Sequence, residues 1–166
     1  MELQSRDAPL PPFFAAVRRR HPDVDIVLLA PEPADDDHRE PVTERQLANA
    51  FDLTTGTATK AWAEAVGDGQ VPDTRYAFGP DEASVTVRAR VAARLDGSAL
   101  VPLAAALSQD GWEVAQRPGV VSRVAARRAT MRLLASYAGG NGAFVLTVTS
   151  APIPVGLDRA RELVRR

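Results

Sequence analysis

The chain has 166 residues, no Cys, 19 Arg against a single Lys, and a formal net charge of −1. Without Cys there is no disulfide, thiolate nucleophile, Cys-ligated zinc or iron–sulfur cluster, and the redox compartment is left open. The near-zero total hides a division: residues 1–83 hold 16 acidic and 8 basic side chains, a net of −8, whereas 84–166 hold 5 and 12, a net of +7.

The length suits one domain, 1–166, with a helix-rich acidic region over 13–83 and a basic β-α-β-β-β-α core over 84–166. Glu2, Arg6 and Asp7 precede any apolar run, and the longest aliphatic run, residues 26–30, is far too short for a membrane span. A cytoplasmic protein without a membrane anchor is therefore expected. The Arg excess and 29 Ala fit a GC-rich coding bias and a high-GC bacterial source.

Phe13, Phe14 and Val17 form a short amphipathic helical pattern that ends in Arg18, Arg19 and Arg20, before Pro22. Basic residues in a last turn complement the helix carbonyls, which gives the triplet a local reason to exist. Residues 24–29 read as a buried strand, and 31–41, with three Pro and the run Asp35-Asp36-Asp37, as an exposed loop. Consecutive carboxylates beside His38 do not converge on one ion, so no metal site is expected there.

Thr43 and Gln46 form a capping box for a helix carrying Leu47, Ala50 and Phe51. Residues 53–56 predict a break, and a second helix over 57–66 buries Ala58, Ala61 and Trp62 before Gly67. The pair resembles a helix-turn-helix only superficially, because Lys60 and Glu64 offer no basic recognition face.

Residues 84–95 alternate Val85, Val87, Ala89, Val91 and Leu95 against Arg88, Arg90 and Arg94, a strand with one polar face. A helix follows with Leu100, Leu103 and Leu107 on its apolar side. Further strands are expected from Trp112, over 120–127, over 129–137 and over 144–149, the last two joined by the hairpin signal Gly139-Gly140-Asn141-Gly142. A final helix spans 157–165. The fold class is therefore α+β: an antiparallel sheet of four or five strands, helices on one face, and a mainly helical region before it. Its expected core contains Val85, Val87, Val91, Leu95, Leu103, Leu107, Trp112, Val124, Leu133, Phe144, Leu146 and Val148.

Chemistry is scarce. His21 and His38 belong to no metal-binding spacing, the glycines form neither phosphate loop nor dinucleotide loop, and no serine sits in a nucleophile elbow. No cofactor is expected. The residues with content are Arg88, Arg90 and Arg94 on one strand, Arg123 and Arg127 on another and Arg132 on a third. Equal parity on neighbouring antiparallel strands would make them one arginine-lined face.

Three functions are compatible with that pattern. The first is a non-enzymatic protein-binding or structural module, acting through self-association or another protein. The second is an arginine-dependent nucleic-acid binder, which usually adds exposed aromatics. The third is an enzyme using an unrecognised carboxylate pair, Asp23 and Asp25 being the candidates. Strands 84–95 and 144–150 are long or β-branched, and either one as an open edge would favour a homodimer.

Overall fold

The computed structural model describes residues 16–17, 19–21, 42–67, 70–95 and 97–165. The chain divides into two compact units, Met1–Glu40 and Pro41–Arg166. In the first, Ala16, Val17, Arg19 and Arg20 are helical, and the His21 N–H donates to the Val17 carbonyl at 3.0 Å. The strand expected over 24–29, the acidic loop over 31–41 and the Asp23/Asp25 pair lie outside the described residues.

The second unit is α+β. Its described residues form three α-helices and a seven-stranded antiparallel sheet, in the order α1 (Glu44–Val66), β1 (Asp73–Phe78), β2 (Ser84–Arg94), a 3-10 turn (Gly97–Ala99), α2 (Leu100–Gln109), β3 (Glu113–Arg117), β4 (Val121–Arg128), β5 (Met131–Ala138), β6 (Ala143–Thr149), β7 (Ile153–Pro154) and α3 (Leu157–Arg165). Across the sheet the strands run β1-β2-β6-β5-β4-β3, with β7 pairing β2 beyond the end of β6. Among the described residues, no helix is long and apolar enough to cross a membrane.

Helix α1 starts at the capping box: the Gln46 N–H donates to the Thr43 hydroxyl at 3.2 Å, and the Thr43 N–H to Gln46 Oε1 at 2.8 Å. It ends at Gly67, whose φ of 84° is a left-handed conformation that glycine adopts without a Cβ penalty. The break expected over 53–56 is absent, and α1 runs uninterrupted for 23 residues. Thr54, Thr55, Thr57 and Thr59 each return their hydroxyl to the carbonyl four residues earlier, at 2.7–3.0 Å, which satisfies them locally without favouring the helix. Packing on β2, β6 and α2 then overrides the weak propensity of Gly56. A continuous helix also removes the helix-turn-helix resemblance.

All three helices cover one sheet face. Trp62 of α1 meets Phe144 of β6 edge-on, with ring centroids 5.8 Å apart, above Val91, Val124, Leu133, Leu146 and Val148. Leu103, Leu107 and Trp112 close this cluster from the side of α2, and Leu95 is half-buried against it. A second cluster joins Leu47, Val85, Ala160 and Leu163 under α3. Each large side chain fully buried here contributes roughly 1.5–3 kcal/mol of transfer free energy. Arg159 ties α3 to α1 through Glu44 and also pairs with Glu162. The hydrogen bond that Arg159 donates to Glu162 raises its guanidinium above its ordinary value, against the opposing effect of desolvation.

The sheet is wider than four or five strands for two reasons. Strand β1 was hidden by the flanking Gly79 and Pro72, although Thr74, Tyr76 and Phe78 alternate with Asp73, Arg75 and Ala77. Strand β7 resumes the line of β6 after Ser150, whose hydroxyl accepts from the Val87 N–H at 2.9 Å and so fills the gap in the ladder. The β5–β6 hairpin closes through Gly142, at φ 67°, whose carbonyl accepts from the Leu95 N–H at 2.9 Å.

The edge assignment differs from the sequence reading. Strand β2 is hydrogen-bonded on one side to β1 and on the other to β6 and β7, while β6 lies between β2 and β5. Neither can add a second copy by strand pairing. The edges are β1 and β3. The charge boundary at residue 83 falls in the β1–β2 connection, so β1 from the acidic half pairs with β2 from the basic half.

Candidate functional site

Among the described residues, the three helices lie on one face of the sheet; the other face is exposed at β2 from Arg88 onward and across β4 and β5, while Ser84 and Thr86 at the start of β2 are buried. Arg88, Arg90, Arg94, Arg123, Arg127 and Arg132 all project from that other face and all are exposed, opposite the buried Ala89, Val91, Val124, Ala126 and Leu133. Register adds two arginines that strand parity alone could not attach: Arg75, opposite Arg88, and Arg117, opposite Arg123.

The pairings arrange these side chains in rows across the strands. One row reads Arg75, Arg88, Thr149, Arg132, Arg127 and Glu113 over β1, β2, β6, β5, β4 and β3. The next reads Asp73, Arg90, Thr147, Leu134, Ala125 and Ala115. A third runs through Ala92, Val145, Ser136, Arg123 and Arg117. The first row is thus an arginine band that crosses five adjacent strands, with one hydroxyl at its centre.

Three of the cross-strand pairs set like charges directly opposite each other: Arg75 with Arg88, Arg127 with Arg132, and Arg117 with Arg123. Such pairs destabilise a sheet. Among the described residues, none of these guanidiniums has an ion-pair partner. The described ion pairs lie elsewhere, between Lys60 and Asp110 and around Arg159. The band lines a shallow depression of about 590 Å³ with Thr147, Thr149 and Leu134, and a neighbouring one of about 500 Å³ holds Arg117, Arg123, Arg127 and Leu134. Leu134 is an exposed apolar side chain at 46%.

The carboxylates of this face sit at opposite margins, Asp73 on β1 and Glu113 on β3. Five strand spacings separate them, roughly 24 Å. A glycosidase-type pair needs about 5–9 Å, so these two cannot work on one bond. Among the described residues, no group of three or more His, Asp or Glu is placed to hold a metal. The aromatics lie elsewhere: Trp112 and Phe144 are buried and Tyr137 is packed against the helix-side core.

A third concavity, of about 280 Å³, lies between α1 and α2, with Ala61, Leu103, Leu107 and Trp112 in its lining. Three of its five charged residues contact one another or the Trp112 ring, and Asp52 and Glu64 are exposed on its rim. Lys60 Nζ pairs with Asp110 at 2.5 Å, and Arg128 stacks 4.9 Å above the Trp112 ring while donating to the Asp110 carbonyl at 3.3 Å. The arginine face therefore carries eight exposed guanidiniums that have no ion-pair partner among the described residues. No family model matches the chain, and no curated protein and no solved structure is similar to it at a significant level.

Proposed function

We propose that this chain is a non-enzymatic binding module whose arginine face docks an acidic protein surface. The observation that carries the reading is the band Arg75–Arg88–Thr149–Arg132–Arg127, which keeps like charges opposed and unpaired among the described residues. Repulsion between neighbouring guanidiniums costs stability in the free protein, and an anionic partner removes that cost. Guanidinium is also the cation best suited to bidentate carboxylate contact.

An apolar element beside the band, Leu134 with Ala125 and Ala115, favours protein over nucleic acid. A nucleic-acid sheet would place aromatics where bases stack, and the described strand residues of this face include none. Self-association is one form of this reading, because residues 1–83 of a second copy carry a net charge of −8. The proposed setting is the cytoplasm, on the strength of the sequence.

Binding of poly-L-glutamate and of a single-stranded oligonucleotide, each measured against the wild type and R88A/R132A, tests the reading. It expects polyglutamate to bind at low salt and to weaken at least tenfold in the variant. Tighter binding of the oligonucleotide would replace it with the nucleic-acid alternative. Polyglutamate affinity unchanged by the substitutions would remove the arginine face from the function.

A further inference from the structure

The arginine band has an internal spacing. Strands β1 and β2 bring Arg75 and Arg88 side by side, β5 and β4 bring Arg132 and Arg127 side by side, and only Thr149 of β6 stands between the two pairs. The centres of the pairs are three strand spacings apart, about 14 Å at roughly 4.8 Å per strand. An extended peptide advances about 3.3–3.4 Å per residue, so its side chains at i and i+4 lie about 13–14 Å apart and point the same way.

Resting on the acidic-partner reading above, we propose that the face takes an extended segment of a partner protein, laid across the strands, with carboxylates at i and i+4. Each carboxylate enters one arginine pair, where two guanidiniums supply more donors than its oxygens can accept, so both pairs are neutralised by one segment. The side chain at i+2 then falls over Thr149 and beside the exposed Leu134. That position selects a residue of modest size with apolar character. A helical segment fits less well, because four residues of helix advance only about 6 Å.

The alternatives on the molecule are weaker. The α1–α2 groove carries Asp52 and Glu64 beside the Lys60–Asp110 pair, a mixed set of charges that names no occupant. Asp73 and Glu113 each stand alone at a margin.

Labelled peptides with two Glu residues in a Val/Thr-rich background, separated by two, four or eight positions, are titrated by fluorescence anisotropy into the full-length protein. The four-residue spacing is expected to bind at least fivefold tighter than the others, and that preference is expected to vanish in R75A/R88A. The lysine variant R127K/R132K, which keeps charge but loses the fork, is expected to lose severalfold at that spacing, and L134E to weaken it further. Melting curves of each variant establish that it is folded. Equal affinity at all spacings, with loss in the arginine variants, would overturn this inference and leave the acidic-partner reading standing. Failure of every acidic peptide to bind the folded wild type would overturn both.

Discussion

Arg127 of β4 stands directly opposite Arg132 of β5, two strand positions before the β4–β5 turn, with Glu113 as the cross-strand neighbour of Arg127 on its other side and Thr149 as that of Arg132. Two like charges at this separation are held by the sheet in spite of their repulsion. Stability and binding are therefore expected to pull in opposite directions on this face.

R132E converts the opposed pair into a cross-strand ion pair. A gain of about 0.2–1 kcal/mol is expected at low ionic strength, shrinking as salt screens exposed charges. Thermal melts at low and high salt check it. A loss of stability would show that Arg132 already has a favourable partner in the fold.

Ala129 adopts φ 51° in the two-residue turn between β4 and β5. A left-handed alanine carries roughly 1–2 kcal/mol of steric cost, partly offset in a glycine variant by the greater freedom of its unfolded chain. Ala129→Gly is thus expected to stabilise by about 0.5–1 kcal/mol in urea unfolding. A destabilised variant would mean the turn is not left-handed at this position.

Ser150→Ala removes the acceptor of the Val87 N–H, next to a fully buried side chain in the middle of the sheet. An orphaned buried donor costs about 1–3 kcal/mol, the loss expected here. Hydrogen exchange at the Val87 amide is the sharper readout, because it should accelerate well beyond its neighbours. Unchanged protection would place the ladder hydrogen bond elsewhere.

Gly56 sits inside α1, and a Cβ built on it meets nothing within 4 Å. Gly56→Ala should therefore stabilise by about 0.8–1 kcal/mol, the ordinary helix-interior difference. A helix that broke at this point would gain nothing. Chemical denaturation of the variant distinguishes the two.

Periodicity made the central strands legible. Val87 to Val91, Leu133 to Ala135 and Phe144 to Val148 alternate because one side of each strand is buried under helices and the other is exposed or half-buried. The sequence predicts a break in helix α1 because Gly56 and its threonines are poor helix formers, and the packing on β2, β6 and α2 that keeps it continuous is invisible in composition. Strand β1 is six residues long and carries Asp73 and Arg75, too short and too charged to stand out. Strand order was not accessible either: β6 reaches between β2 and β5, a long-range pairing that no local pattern encodes. The six arginines of strands β2, β4 and β5 could be assigned one face by parity, but Arg75 and the central Thr149 enter the band, and Arg117 joins the face, only through register.

The arginine face, rather than the α1–α2 groove, is the surface proposed to engage an acidic partner. Amide and guanidinium NMR signals, followed while a Glu-rich peptide is added to the full-length protein, test it most directly. Perturbations are expected to concentrate on Arg75, Arg88, Thr149, Arg132 and Arg127 and to fade with added salt. Shifts confined to Lys60, Leu107, Trp112 and Arg128 around the groove, or no shifts at all, would contradict it.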